Sequence, residues 1–580
     1  MALTRGVRFI LTFIGLSVLM SVGAVVVTLF LVTRGPEIKP GSVLWLRVPS
    51  NLAEREPDNL LGQLVGSRDT VGSVVQVLRS AKLDSRVEGV VLVPPLQQAL
   101  WGKIQEIRDA VHDYKESGKP IVAYLEYGGG QQYYLATACD EIVLTPTSPL
   151  ELVGIASYEL FLRDAFDKIG IYPDMLHAGD YKTASNLYTE NTFTSFHQEM
   201  SESLNRDLYD QLVIGIGEAR GLTSPAVRAA IDDGPLLPRD AVSRGLVDGL
   251  AYEDQLMDRL SDGDQTLERL SFNDYRHVSA QALGFDDGPA IALIYAVGPI
   301  TLGSGGVDVS GAEVVGSEAI VSAIRAARED QAIEAIILRI DSPGGAAVAS
   351  DIIWRELTLA REDKPVIASM SDVAASGGYY LAMPADVIVA QPATLTGSIG
   401  VFSGKFSLGD ALHKLGVNLE TVSDGLMADM NSPVAPYTEE ARRRVQRQID
   451  HIYEEFLVRV AQGREMTRDA VHAVAQGRVW TGRQAKEVGL IDELGGLVQA
   501  IANAKEEAGI DPDQSIRLVT YPRPRTFLEM LSTSFVAWSG SVGPSWLNVL
   551  ASRFPATLAF PLQHFRQGEA LALMPFTHLN

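Results

Sequence analysis

A long internal repeat constrains the fold of this 580-residue chain more than any other feature. Sliding the sequence against itself by about 246 positions places 133–136 (YYLA) over an identical YYLA at 379–382. The shift stays nearly constant over roughly 160 residues, which is hard to obtain by chance. The body of the chain is therefore predicted to be two copies of one domain, residues 40–285 and 286–520.

Each copy has the pattern of an α/β domain. Continuous apolar runs predict buried strands, whereas apolar positions at three- and four-residue steps predict amphipathic helices. The runs at 90–93, 336–340 and 387–390 belong to the first class, and those at 73–81 and 318–328 to the second. A further helix is predicted to follow the N-cap residue Thr438. Repeated strand-helix units of this kind favour mostly parallel sheets covered by helices.

The amino terminus has the pattern of a membrane anchor. Residues 9–32 contain no charged side chain, and Arg5 and Arg8 precede them. At about 1.5 Å per residue, such a helix exceeds the hydrocarbon thickness of about 30 Å. A cleaved signal peptide ending near 22–24 is the alternative, but the apolar run continues beyond it. We expect a cytoplasmic tail at 1–8, one transmembrane helix and an extracytoplasmic body.

Composition excludes several classes of function. The chain carries 49 Lys and Arg against 72 Asp and Glu, a net charge of −23, whereas a nucleic-acid surface needs a basic stripe. The single cysteine, Cys139, excludes an internal disulfide and a Cys-rich zinc site. No metal, organic cofactor or nucleic acid is therefore predicted. The aromatic-rich tail at 521–580 is expected to pack on the body or a neighbouring subunit, or to contact the membrane.

The two copies differ in a complementary way. The second copy has Ser376 where the first has Gly130, and the first has Lys182 where the second has Ala428. A serine hydroxyl is a poor nucleophile until a base takes its proton, and a lysine can be that base only when burial lowers its pKa. The pattern predicts one composite site, with Ser376 as nucleophile and Lys182 as general base. Taken alone, either residue fits a structural or surface role.

Two further elements extend the predicted site. The sequence Asp-Ser-Pro-Gly-Gly at 341–345 directly follows an apolar strand, and its glycines allow backbone N–H groups to turn outward. We predict that Gly344 and Gly377 donate N–H groups to an oxyanion. Ser398 is a candidate partner for the lysine amine, and a packing or turn role fits it equally well.

These stretches resemble a known family. The motifs are those at 181–184, 339–345, 374–379, 395–400 and 482–495. In order and spacing they are similar to the long tandem form of signal peptide peptidase A, within the Clp protease/crotonase superfamily, over about residues 45 to 510. The resemblance implies two Clp/crotonase-like domains and a serine endopeptidase with a Ser-Lys dyad, without a cofactor. One departure is the sequence Ser-Asn-Leu at 185–187, where the family usually has an acidic-Pro pair.

The same resemblance carries expectations about substrates and location. It implies that the substrates are remnant signal peptides, that the enzyme is a homotetramer and that it is anchored in the bacterial inner membrane. The catalytic body would then lie on the periplasmic side. Three other readings stay open: a crotonase-like acyl hydrolase, a catalytically silent scaffold of the same fold, and a Ser-His site using His413.

Overall fold

The computed structural model describes most of the two copies. The described residues are 38–50, 52–55, 69–95, 100–261, 267–278, 288–307, 313–522, 568–575 and 578–579, together with the single positions 17, 20 and 23. Apart from those three positions, the expected anchor at 9–32 lies outside the described residues, as does most of the tail. Among the residues that are described, no helix is both long enough and apolar enough to cross a bilayer.

The first copy is built on a six-stranded parallel sheet in the order β10-β1-β2-β3-β5-β9. Its strands are β1 (Ser42–Arg47), β2 (Val87–Val93), β3 (Ile121–Leu125), β4 (Gly128–Gly129), β5 (Glu141–Leu144), β6 (Leu150–Glu151), β7 (Ser157–Tyr158), β8 (Tyr172–Ala178), β9 (Gly249–Leu250) and β10 (Glu268–Ser271). Its helices are α1 (Val71–Leu83), α2 (Trp101–Lys115), α3 (Gly130–Ala136), α4 (Arg163–Ile169), α5 (Asn186–Thr189), α6 (Ser195–Arg220), α7 (Ser224–Asp232), α8 (Pro238–Ser243), α9 (Glu253–Leu260) and α10 (Phe272–Tyr275).

The second copy has a corresponding sheet of mostly parallel strands in the order β21-β19-β17-β15-β11-β23, with β18 and β22 branching from β17. Its strands are β11 (Ala290–Val297), β12 (Ile300–Thr301), β13 (Gly305–Val307), β14 (Glu313–Gly316), β15 (Ile333–Ser342), β16 (Gly344–Ala346), β17 (Val366–Ala375), β18 (Val387–Ala390), β19 (Leu395–Gly397), β20 (Val401–Ser407), β21 (Val479–Thr481), β22 (Glu493–Leu494) and β23 (Arg517–Tyr521). Its helices are α11 (Ser317–Glu329), α12 (Ala347–Arg361), α13 (Gly377–Ala382), α14 (Gly409–Lys414), α15 (Glu439–Gly463), α16 (Arg468–Val474), α17 (Gly482–Glu487) and α18 (Leu497–Glu507).

These elements confirm the predicted mixed α/β class with mostly parallel sheets. Strand β18 has the predicted bounds, and α1 and α11 contain the predicted helical runs. Helix α15 begins after Thr438, whose side chain accepts a hydrogen bond from the Ala441 N–H. That contact satisfies one of the N–H groups that a helix start leaves without a partner.

The two copies repeat individual contacts as well as elements. The hydroxyl of Tyr133 donates to the Leu246 carbonyl in the first copy, at 2.7 Å, and that of Tyr379 donates to the Leu490 carbonyl in the second, at 2.8 Å. An arginine pairs with an aspartate at corresponding places in each copy, as Arg220–Asp248 and Arg464–Asp492. The sequence repeat therefore corresponds to a repeated set of packing and hydrogen-bonding positions.

A third sheet joins the copies, which the repeat did not predict. Its order is β13-β14-β12-β16-β24-β20-β8, so β8 of the first copy lies at its edge beside β20 of the second. The strand β24 (Leu571–Leu573) comes from the tail, as does β25 (His578–Leu579), which pairs with β7. The β8–β20 pair is antiparallel and runs from Ala178 beside Val401 to Tyr172 beside Ser407. This sheet brings the chain before Lys182 next to the chain after Ser398.

Buried charges also hold the copies together. Arg339, on β15, donates to Glu54 at 2.8 Å and to Glu106 at 2.5 Å, both in the first copy. In the opposite sense, Lys103 of the first copy donates to Asp341 of the second at 2.8 Å. Arg339 is 1% exposed. Because removing one partner of such a pair leaves an uncompensated buried charge, these contacts resist separation of the copies.

Candidate active site

Ser376 occupies a strained turn between β17 and α13. Its φ is 56° and its ψ is −110°, a conformation that residues with a side chain rarely adopt. The Ser376 N–H donates to the Gly397 carbonyl at 2.8 Å, which ties the turn to the neighbouring strand β19. Strain of this kind persists only where the surrounding structure enforces it, and it is concentrated at functional sites.

Lys182 follows β8 and lies against the second copy. The Tyr181 N–H donates to the Gln476 carbonyl at 2.8 Å, which fixes the backbone just before the lysine. Gly477 has a φ of 83°, and a Cβ there would lie 2.5 Å from the Lys182 nitrogen and Cα. Only glycine therefore allows the lysine backbone to approach this closely. Sequence reasoning missed Gly477, because nothing in the pattern around it points to a residue nearly 300 positions away.

The two predicted residues meet. Lys182 Nζ lies 2.7 Å from Ser376 Oγ, 3.0 Å from the Ser398 carbonyl oxygen and 3.1 Å from Ser398 Oγ. Ser376 is 0% exposed and Lys182 is 1% exposed. Burial lowers the pKa of Lys182 well below its usual 10.5, since an apolar environment disfavours the charged amine.

This arrangement is suited to proton transfer. A neutral Lys182 amine has one lone pair, which can accept the Ser376 O–H, and its own N–H groups can donate to both oxygens of Ser398. Ser398 also has a positive φ of 51°, and its N–H donates to the Arg478 carbonyl at 2.7 Å. The position of Ser398 thus fixes the direction of the lysine amine.

The turn that contains Gly344 and Gly345, which we call the glycine turn, differs from the sequence prediction at one residue. Gly344 was predicted to offer its N–H to an oxyanion, but this N–H donates to Ser342 Oγ at 3.2 Å. Gly377 has the predicted place, at the first position of α13. A Cβ on Gly377 would lie 3.0 Å from the nitrogen of Gly345, and one on Gly344 would lie 2.7 Å from the nitrogen of Gly377, so all three glycines lie close together.

The register of the third sheet explains the difference. Ala347 N–H donates to the Ala570 carbonyl at 3.1 Å, and two residues along each strand Gly345 lies opposite Ala572. Hydrogen-bonded and non-hydrogen-bonded pairs alternate along an antiparallel ladder, so Gly345 is again in a hydrogen-bonded pair. Gly344 is then in a non-bonded pair, and its N–H points away from β24. The N–H of Gly345, and not that of Gly344, therefore points toward β24 on the side where Gly377 lies.

The remaining candidates lie elsewhere. His413 is exposed on the short helix α14. Cys139 is a free, buried residue of the first copy. Burial raises the pKa of its thiol, which leaves it unreactive as a nucleophile at ordinary pH.

Comparison with known proteins places the chain in a family. The model of peptidase family S49 matches residues 113–267 and 358–511, one segment in each copy. The chain is 36% identical to the chloroplastic serine protease SPPA of Arabidopsis thaliana, over 85% of this chain and 73% of that protein. It is 32% identical to Protease 4 of Salmonella typhi, over 86% of this chain and 81% of that protein. Protease 4 of Haemophilus influenzae is 30% identical over 79% of this chain and 76% of its own length. These matches confirm the resemblance inferred from the motifs, and the chain belongs to peptidase family S49.

Proposed function

We propose that the protein is a serine endopeptidase that uses Ser376 as nucleophile and Lys182 as general base. The observation that carries this proposal is the 2.7 Å separation of Lys182 Nζ and Ser376 Oγ, at a lysine whose pKa is lowered by burial. A base at hydrogen-bond distance with a pKa moved toward working pH is the arrangement that proton transfer requires.

The proposed reaction proceeds in two steps. Lys182 takes the Ser376 proton as Oγ attacks the scissile carbonyl, and the resulting ammonium returns the proton to the leaving amine. Water then attacks the acyl-enzyme, Lys182 accepts the water proton and returns it to Ser376 Oγ as the ester bond breaks, and the carboxylic acid product leaves. We propose that the N–H groups of Gly345 and Gly377 stabilise the tetrahedral oxyanion, a contribution that is typically worth 10²–10³ in rate.

Matched lysine variants test this proposal. Lys182→Met should reduce hydrolysis of an apolar peptide by about 10³-fold, within the range for loss of a general base. Lys405→Met is the control, because Lys405 is also buried and its pKa is also lowered by burial. Its amine donates to the backbone carbonyls of Met430 and Ser432 and not to Ser376, so its loss should leave activity unchanged. If folded Lys182→Met keeps near-full activity, the base assignment is wrong.

The alternative readings give different outcomes in the same assay. A catalytically silent scaffold would show no peptide hydrolysis by the folded wild-type protein. A crotonase-like acyl hydrolase would instead cleave an acyl thioester and leave peptides intact. The assay with apolar peptide and thioester side by side therefore separates all three.

We propose that the substrates are cleaved signal peptides and similar apolar peptides. Buried side chains at the site support an apolar substrate: Ala184, two residues after Lys182, packs with Phe402. A series of peptides of equal length tests this, with leucine replaced stepwise by serine. We expect kcat/KM to fall as leucines are removed, and equal values across the series would contradict it.

We also propose membrane anchoring and self-association. The uncharged segment 9–32 supports a single-pass anchor in the inner membrane, with the body outside the cytoplasm. Membrane fractions washed at alkaline pH should retain the full chain, and external protease should cut the body in spheroplasts. Light scattering of the detergent-solubilised protein should give the mass of a tetramer, and a monomer mass would contradict that part of the proposal.

A further inference from the structure

The tail contributes a strand directly beside the candidate nucleophile. Strand β24 lies between β16, which carries the glycine turn, and β20, which follows Ser398. Just before β24, the Ala570 carbonyl accepts a hydrogen bond from the Ala347 N–H, and just after it the Met574 N–H donates to the Pro343 carbonyl at 2.9 Å. Two strand edges thus face each other across a slot, and the chain's own tail fills it.

The slot is suited to an extended apolar peptide. Leu571 and Leu573 pack on Ala184 and Phe402 and are 3% and 1% exposed. Side chains alternate along a strand, so Ala572 faces the opposite side, where it too is buried. Addition of a strand to a sheet edge is a recurring way of binding peptides, with backbone hydrogen bonds for affinity and pockets for alternate side chains.

The tail also places a peptide carbonyl where a reacting carbonyl would have to lie. Gly345 faces Ala572 in a hydrogen-bonded pair of the ladder. A Cβ on Gly377 would lie 3.1 Å from the Ala572 carbonyl oxygen. The Ala572 carbonyl oxygen therefore lies beside the two glycines assigned to the oxyanion, which is the place that the carbonyl of a bound peptide would occupy.

Burial shows that this arrangement is closed to other peptides. Ser376 has no exposed surface while β24 is in place. The tail is anchored on both sides of Ala572: Gly568 N–H donates to the Gly404 carbonyl at 2.9 Å before it, and β25 pairs with β7 after it. A substrate peptide must displace this strand in order to reach Ser376.

We propose that the segment 568–574 is a tethered competitive occupant of the substrate groove, which lowers the affinity of the full-length protein for other peptides. This inference rests on the proposed peptidase function. Because the segment belongs to the same chain as the groove, its binding is intramolecular and does not depend on the protein concentration, so weak pairing suffices to keep the slot filled. Competition of this kind raises the apparent KM and leaves kcat unchanged.

A full-length variant tests the inference. The double substitution Leu571→Asp and Leu573→Asp puts two carboxylates into the apolar slot and should release the strand. We expect KM for an apolar peptide to fall about 10-fold or more with kcat unchanged. Val422→Asp is the control, because Val422 is 98% exposed and should leave both constants unchanged. An unchanged KM in the double variant with the fold intact would overturn the inference.

A binding measurement separates failure of this inference from failure of the proposed function. A fluorescent synthetic peptide of the wild-type sequence 568–580 is titrated into the double variant that also carries Ser376→Ala. We expect saturable binding that the unlabelled apolar substrate peptide displaces, and no binding to Ser376→Ala with the native tail. Absence of binding to both proteins would overturn the inference whether or not peptides are hydrolysed.

Mass spectrometry of the intact chain adds a third readout. A resident competitor stays whole, so after prolonged incubation the mass of the wild-type protein should differ from that of Ser376→Ala only by the one oxygen atom that distinguishes serine from alanine. Loss of residues 573–580 from the wild-type protein alone would show that the tail is a consumed substrate, and would overturn its role as a competitor.

Discussion

The two copies show what a shared scaffold does and does not determine. At corresponding positions a strand leads into a short helix, α3 in the first copy and α13 in the second. In the first copy Gly130, the counterpart of Ser376, begins the helix without a positive φ, and Gly129 before it is extended with a φ of −68°. In the second, Ser376 has a φ of 56° at the equivalent turn. The strained conformation therefore occurs at the residue that we propose as the nucleophile, although glycine would tolerate it better.

The copies are complementary in charge as well as in their proposed catalytic residues. Arg339 corresponds to Val93 of the first copy, whereas Lys103 corresponds to Ala349 of the second. Each buried cation pairs with carboxylates of the other copy. The hydrogen bond between the Lys182 amine and the Ser376 hydroxyl likewise joins one copy to the other. Each half therefore holds buried charged groups whose closest ionic partners lie in the other half.

The largest expected effect tests whether the serine is specific to the second copy. Ser376→Ala should lower peptide hydrolysis by about 10⁴-fold, or about 5.5 kcal/mol of transition-state stabilisation. Gly130→Ser in the same protein should restore nothing, because Lys182 contacts the other copy. A Cβ at Gly130 has its nearest neighbour at 3.6 Å, so this control fits sterically. Recovery of activity in the double variant, measured as kcat/KM, would show that a serine in the first copy can replace Ser376 and would contradict the proposed division of roles between the copies.

The next effect concerns the charges that join the copies. Arg339→Met leaves Glu106 buried without its cation and Glu54 with Lys103 alone, and should destabilise the protein by about 3–5 kcal/mol. Arg47→Met is the control, since its pair with Glu126 is largely exposed and should cost less than about 1 kcal/mol. Calorimetric unfolding of both variants gives the comparison. Equal losses would mean that the buried arginine does not hold the copies together.

A smaller effect is expected at Ser398, which corresponds to Leu152 in the first copy. Ser398→Ala removes one of the two oxygens that orient the lysine amine and leaves the Ser398 carbonyl in place. A lost hydrogen bond of about 1 kcal/mol predicts a reduction of kcat by roughly 5- to 10-fold with KM unchanged. A change in KM alone would indicate that Ser398 contacts the substrate instead.

The smallest effect sharpens the comparison by testing what the copies share. Tyr133→Phe and Tyr379→Phe each remove one hydrogen bond from a buried hydroxyl to a backbone carbonyl. Both should destabilise the fold by about 1 kcal/mol, and by similar amounts. Thermal unfolding of the two variants measures this directly. A much larger loss in one copy would show that the repeated contact has acquired a different role.

Much of the fold could be predicted because local patterns encode it. The strands at 336–340 and 387–390 and the helix after Thr438 follow from apolar periodicity and a capping residue. The proposed pair of Ser376 and Lys182 came from the complementary difference between the copies, which is information that a single domain would not contain.

The parts that escaped prediction depend on pairing between distant segments. The slot beside Gly345 is defined by β24, whose residues lie more than 200 positions further along the chain. Choosing between Gly344 and Gly345 requires the hydrogen-bond register of that pairing, which leaves no periodic signal in the sequence. The approach of Gly477 to Lys182 is a contact of the same kind.

The most direct test of the central claim is the rate at which a fluorophosphonate labels Ser376, measured against pH. In the proposed mechanism only the neutral Lys182 amine acts as the base, so labelling should accelerate as pH rises through the lowered pKa of Lys182 and level off well below 10.5. Lys182→Met should label far more slowly and lack this acid limb, whereas Lys405→Met should match the wild type. Labelling of Lys182→Met at the wild-type rate, with the same dependence on pH, would contradict the assignment of a base from one copy to a nucleophile in the other.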